Sequence, residues 1–248
     1  MKNILKKLYY FFFTKLEADS VNHNDAFKWF DTGHKKYILN LVSSIENYIK
    51  EDSVIFDIGA NIGFFTFIIG NKLSSQGSVH LFEPVPNLSE ISRLILKEVK
   101  YKTNYYKFAL GDSNGKESIF LANDGNLGWN TMIKEKIDSD MKEVIIDVRK
   151  YDSLDIKVEP TLIKIDTEGY EYKVLNGMVE SMKKWSNLPI ILCEIGWGKS
   201  HPSWDKIRNM VEMMQSLGYR ICNLDKSSVN LDNINKTLDV LFLPSNVK

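Results

Sequence analysis

The sequence predicts an α/β protein: a mostly parallel sheet with helices on both faces. Two observations carry this. First, short apolar runs alternate with helix-length segments of 3.6-residue periodicity from residue 54 onward, and such alternation builds parallel sheets. Second, residues 54–83 form a strand, a glycine loop, a helix, a second strand and an acid, the sequence form of a nucleotide-binding βαβ unit. A chain of 248 residues holds one such domain with a full core.

In that unit, Val54 to Phe56 is an apolar strand ending at Asp57. The loop Gly59-Ala60-Asn61-Ile62-Gly63 follows, and then Phe64, Phe65, Phe67, Ile68 and Ile69 mark a helix. Val79 to Phe82 is the second strand, ending at Glu83, which lies 83 − 63 = 20 residues past the last loop glycine. Glycines let a ligand approach the backbone closely. An acid at the end of the second strand accepts two hydrogen bonds from a ribose diol. The loop is not G-x-G-x-x-G, and Asp57 before it would repel a pyrophosphate. An ammonium would suit Asp57, and Asn61 would hold a carboxylate. Adenosine joined to an amino acid, as in S-adenosylmethionine, fits better than a dinucleotide.

Four motifs resemble the FkbM-type S-adenosylmethionine-dependent methyltransferases over residues 50–245. They are Asp57-Ile-Gly-Ala-Asn-Ile-Gly-Phe-Phe-Thr66, Glu83-Pro84-Val-Pro86, Ala109-Leu-Gly-Asp112, and Lys164-Ile-Asp-Thr-Glu-Gly-Tyr-Glu171 followed by Val174-Leu-Asn-Gly177. The resemblance implies a Rossmann-like class I methyltransferase fold. Its seven-stranded sheet would close on an antiparallel terminal hairpin, with the seventh strand between the fifth and sixth. It also implies a hydroxyl acceptor on a sugar, a glycan or a small natural product. Asp112 would reach the adenine amine; it is equally well placed as an ordinary turn aspartate.

The remaining elements follow in order. A helix is expected over Tyr37–Ile49, then strand 54–58, helix 63–73, strand 78–83, helix 87–99 and strand 104–110. Residues 111–150 break the alternation as a small β insertion, with strands at Lys116–Leu121 and Val144–Val148 and a loop at Gly125–Trp129. It is the expected wall of the acceptor site. Strand 161–166, helix 170–184, strand 189–195, helix 203–216 and strands 219–224 and 238–243 complete the chain. The expected division is an accessory helical segment, residues 1–50, and a catalytic domain, residues 51–248.

Ligands of open α/β sheets lie outside the carboxyl ends of the strands. Asp166 and Glu168 end the fourth strand there, on one side of an extended segment. Two near carboxylates let one act as a general base on an acceptor hydroxyl. Glu168 also suits the start of the next helix as a capping acid. Glu194 ends the fifth strand, before Trp197, which could stack on a sugar, and His201, a further candidate base. Trp129, Asn130 and Thr131 are candidate substrate contacts. No dedicated metal cage is legible; Asp166, Glu168 and Glu194 are oxygen donors that could hold Mg²⁺, a reading the sequence leaves open but does not favour.

Lys+Arg and Asp+Glu number 32 each, which gives no field to attract nucleic acid. Cys193 and Cys222 are the only cysteines and show no metal-ligand spacing, so a reducing, cytoplasmic setting is expected. No secretory signal is recognised. Lys2, Lys6, Lys7 and Lys15 interleave with Leu8 to Phe13. Such a segment covers the core or a partner copy, in a homodimer, more readily than it lies on a membrane through residues 1–16, because its apolar positions nearly encircle the helix. The rivals are a NAD-dependent oxidoreductase or epimerase and a non-catalytic binding module. The first lacks the dinucleotide loop and a Tyr-x-x-x-Lys pair; the intact acids and glycines disfavour the second.

Overall fold

The structure, a computed structural model, describes residues 35–122 and 129–247. The expectations for residues 1–16, and most of the loop Gly125–Trp129, lie outside them. Seven strands form the main sheet: β1 (Val54–Ile58), β2 (Ser78–Phe82), β3 (Lys102–Tyr106), β7 (Leu162–Ile165), β8 (Ile190–Ile195), β9 (Tyr219–Asn223) and β10 (Leu238–Pro244). Their order is β3-β2-β1-β7-β8-β10-β9. All neighbours are parallel except β10, which runs antiparallel to both β8 and β9. The last strand in sequence therefore sits between the two before it, as expected of a Rossmann-like methyltransferase fold. A second, three-stranded sheet orders β4 (Ala109–Gly111), β6 (Lys142–Lys150) and β5 (Gly115–Leu121).

Side chains alternate across each strand, so the main sheet has two apolar faces. Ile55, Leu81, Leu162, Leu192 and Leu241 pack on one face with the helices α1 (Lys35–Ile45), α2 (Phe64–Ile69) and α3 (Pro86–Ile95). Phe56, Phe82, Ile163, Ile191 and Phe242 pack on the other with α4 (Glu171–Asn176), α5 (Val179–Met182) and α6 (Trp204–Ser216). In α1 the buried residues are Ile38, Leu41, Val42 and Ile45, the i, i+3, i+4, i+7 stripe of a helix laid on a core. Each such burial is worth ~1.5–3 kcal/mol. Residues 35–45, expected in an accessory segment, thus share one core with the main sheet.

Two elements differ from expectation. The strand expected over 104–110 is two strands in two sheets, because the chain bends at Lys107–Phe108 and β4 pairs with β6 instead. The helix expected over 170–184 breaks at Gly177. A Cβ on Gly177 would stand 1.9 Å from the Gly111 carbonyl oxygen, so the helix meets β4 backbone to backbone there. Asp152 then accepts from the N–H groups of Glu180, at 3.2 Å, and Ser181, at 2.8 Å, and starts α5 afresh. Among the described residues no helix is long and apolar enough to cross a membrane.

Candidate active site

At the carboxyl ends of β1, β7 and β8, and the amino end of the antiparallel β10, the α1–α3 face of the sheet turns polar. Asp57 stands opposite Lys164 across β1 and β7, and Glu194 stands opposite Asp239 across β8 and β10. Asp166 continues the Leu162–Lys164 side of β7. Lys164 is buried, with Nζ 3.5 Å from Asp57 Oδ1 and 3.3 Å from Asp166 Oδ2, and it donates to the Gly59 carbonyl at 3.0 Å. Burial disfavours its charge, but Asp166 and Asp57 outweigh that and hold the ammonium above its ordinary pKa. Lys164 therefore ties β1, β7 and the glycine loop together.

Asp57 is fully buried, and its Oδ2 accepts from Thr66 Oγ1 at 2.6 Å. Its Oδ1 has no hydrogen bond and faces only the Lys164 charge. The carboxylate expected to take up a ligand ammonium, directly or through water, thus does not line the cavity and is engaged inside the fold by Thr66 and Lys164.

The loop itself is anchored on β2. Gly59 N and Ala60 N both donate to the Phe82 carbonyl, at 3.0 and 3.2 Å. Gly59 has φ +74° and Asn61 has φ +50°. Asn61 N donates to Glu83 Oε2 at 2.8 Å, and Val85 N donates to Glu83 Oε1 at 2.9 Å. Glu83 is 6% exposed, and burial pushes its carboxyl up to about 7 even though both N–H groups pull the other way.

The loop after β7 presents the acids. Glu168 has φ +51°, a left-handed position that bulky residues rarely take. It is held there by its neighbours. Glu171 Oε1 accepts from Thr167 N, Thr167 Oγ1 and Gly169 N, at 2.8, 2.9 and 3.1 Å. Thr131 Oγ1 donates to the Glu168 carbonyl at 2.8 Å. Carboxylate oxygens of Asp166, Glu168 and Glu194 lie within 4.8 Å of one another. Glu194 is 8% exposed and its Oε1 has no hydrogen bond. Burial, then the charge of Asp166, raises the pKa of both Glu168 and Glu194.

These groups share one cavity of about 380 Å³, within the ~300–1,000 Å³ range of small-molecule sites. Of the expected residues, Gly59, Ala60, Asn61 and Glu83 line one part of it. Asp166, Glu168, Glu194, Trp129 and Asn130 line the rest. Lys164 and Tyr37 also line it and were not among the candidates. A lysine inside the apolar run Leu162–Ile165 was the available signal, since a buried ammonium needs acids. For Tyr37, whose hydroxyl donates to Asp239 at 2.9 Å, nothing local in the sequence pointed to the site.

Gly63, Asp112, Trp197 and His201 do not line the cavity. Gly63 is the N-cap of α2, and Asp112 is exposed on the turn after β4. Trp197 and His201 pack beside Gly169, with their ring centroids 5.6 Å apart. His201 is 3% exposed and both ring nitrogens are engaged: Nε2 with the Gly169 carbonyl at 2.8 Å, and Nδ1 accepting from Ser203 N at 2.9 Å. This fixes a neutral Nε2–H tautomer, and burial lowers its pKa. Such an imidazole has no free lone pair for an acceptor proton, which corrects the expectation of a base. His201→Ala should therefore cost ~1–3 kcal/mol of stability by orphaning those backbone groups. The pH–rate profile of the folded enzyme should keep its shape. Loss of one limb of that profile would restore His201 as a base.

The profile of the methyltransferase FkbM domain matches residues 57–221 of the 248. The chain belongs to the FkbM methyltransferase domain family. No curated protein matches it significantly. Among solved structures, this FkbM-domain chain is similar to a methyltransferase FkbM from Methylobacillus flagellatus KT. Identity is 18% and the TM-score 0.49, over 79% of this chain and 44% of that one. The chain thus spans under half the length of that relative. It is also similar to a putative O-methyltransferase from Klebsiella pneumoniae, at 11% identity and TM-score 0.46, over 98% and 89% of the two chains. A third similarity is to Aeropyrum pernix fibrillarin in complex with natively bound S-adenosyl-L-methionine, at 13% identity and TM-score 0.44, over 78% and 67%.

Proposed function

We propose that this FkbM-domain protein transfers a methyl group from S-adenosylmethionine to a hydroxyl of a sugar, a glycan or a small natural product, in the cytoplasm. The observation that carries the reading is that Glu83 and Asp166, just past the carboxyl ends of β2 and β7 on either side of β1, line one cavity. The residues fit the cofactor. Each Glu83 oxygen uses one lone pair on a backbone N–H and keeps capacity for a ribose hydroxyl. Leu88, Leu110 and Ile119 give apolar wall for a purine. Lys164 lines the cavity beside Asn61, and its positive field would favour the amino-acid carboxylate there while its own three contacts stay in place. When bound, the cofactor supplies an electrophilic methyl and a neutral thioether leaving group.

The protein's own work is alignment and proton removal. Asp166 stands where acceptor and cofactor meet. Its carboxylate would take up the proton of the acceptor hydroxyl that receives the methyl group. Trp129, 58% exposed at the cavity, offers a flat apolar face to a sugar ring, and Asn130 offers an amide. The location rests on Cys193 and Cys222, both buried and unpaired.

Glu83 provides the test. Ribose hydroxyls donate to its ionised form, which prevails above about pH 7. Calorimetric affinity for S-adenosylmethionine should fall roughly tenfold from pH 8 to pH 6. Glu83→Ala should weaken binding at both and flatten the pH dependence. The sign for the empty fold is opposite. A carboxyl whose folded pKa is raised adds most stability at low pH and loses it as pH rises from its ordinary value of 4.5 to about 7. Unchanged affinity in a folded Glu83→Ala protein would refute the ribose assignment.

A further inference from the structure

We propose that Asp166, Glu168 and Glu194 hold one divalent, oxygen-seeking cation of the Mg²⁺, Mn²⁺ or Ca²⁺ class. Three separate backbone positions, two at strand ends and one on a left-handed residue, bring carboxylate oxygens within 4.8 Å of one another. A cluster of acids alone would say little. Glu194 adds an independent sign. It is 8% exposed and lines the cavity, yet its Oε1 has no hydrogen bond. A buried carboxylate oxygen without a partner is costly, and native folds rarely keep one idle.

The Lys164 charge is felt by Glu168 and Glu194, but it pairs directly with neither. Lys164 is committed to Asp57, Asp166 and the Gly59 carbonyl. Among the described residues no ion pair reaches Glu168 or Glu194. The spacing suits a bound ion: oxygens on opposite sides stand ~4.6–5.2 Å apart around Ca²⁺ and ~4.0–4.2 Å around Mg²⁺. Softer metals are disfavoured, because the donors are all oxygens. His201 is engaged elsewhere, and Cys193 packs on the opposite face of the sheet. An ion there would polarise an acceptor hydroxyl and lower its pKa. That role rests on the methyl-transfer reading; the binding of the ion does not.

The test is Mn²⁺ binding to the chelator-stripped full chain, by electron paramagnetic resonance and calorimetry, with S-adenosylmethionine titrated into the same preparation. One saturable Mn²⁺ site that Mg²⁺ or Ca²⁺ displaces is expected. Glu194→Gln should weaken Mn²⁺ binding roughly tenfold or more, and Glu168→Gln, at a less buried position, should do the same if the first variant folds poorly. Both should still bind S-adenosylmethionine. Absence of saturable Mn²⁺ binding at millimolar concentration, with cofactor binding intact, would overturn the cation site and leave the methyltransferase reading standing. Equal Mn²⁺ affinity in wild type and both variants would also overturn it, by placing the ion elsewhere. Mn²⁺ binding lost in the variants, in a protein that ignores S-adenosylmethionine, would support the cation site and sink the cofactor reading instead.

Discussion

Asp166→Asn should fold, bind S-adenosylmethionine and turn over ~10²–10⁴-fold more slowly than wild type, the usual loss when a general base is removed. Asparagine keeps the shape and the hydrogen-bonding oxygen while removing charge and basicity. The fold should survive because Lys164 keeps two of its three contacts, Asp57 and the Gly59 carbonyl. Under the proposed function cofactor binding should survive, because Glu83, just past β2, would hold the ribose end. Single-turnover rates under saturating cofactor give the measurement, with binding followed separately. A folded variant within a few-fold of wild type would remove Asp166 from the proton-transfer role and shift attention to Glu168.

Gly59→Ala should abolish cofactor binding and lower stability by ~3 kcal/mol or more, which is ~6–12 °C in melting temperature for a chain of this size. Two effects combine. With φ at +74°, an alanine sits in left-handed backbone at a cost of ~1–2 kcal/mol. Its Cβ would also stand 1.9 Å from the Asp166 carbonyl oxygen. Neither side can yield cheaply: the loop is anchored to Phe82, and Asp166 N donates to the Ile58 carbonyl at 3.1 Å. Gly115→Ala is the control. A Cβ there meets nothing within 4 Å, and the change should stay within ~0.5 kcal/mol. Equal melting temperatures for the two variants would show that close packing of the loop on β7 is not what demands the glycine.

The first βαβ unit was legible because each step has a local cause: an apolar β-rich run, a glycine where the chain must turn, and a helical stripe. The bend at Lys107–Phe108 was not legible. Both halves read as strand, and only the small sheet decides that β4 leaves the main one. Gly177 resembled an ordinary helix residue until β4 came to rest against it. Lys164 showed its type but not its partners, which the β1–β7 register determines. Asp57 was correctly read as an acid at the loop, yet Thr66, nine residues on, claims one of its oxygens. Trp197 and His201 sit at a strand's carboxyl end, where ligands usually lie. Close packing against Gly169 places them beside the loop's back.

Glu83 does two jobs with one carboxylate. It faces the cavity, and it also fastens the glycine loop through Asn61 N and the next helix through Val85 N. The two ends of the proposed cofactor cradle are therefore not separable modules. An engineer who exchanges Glu83 for a neutral or basic side chain, to admit a cofactor with an altered ribose, would loosen the loop proposed to receive the amino-acid end. Any such redesign has to re-anchor those two backbone N–H groups first.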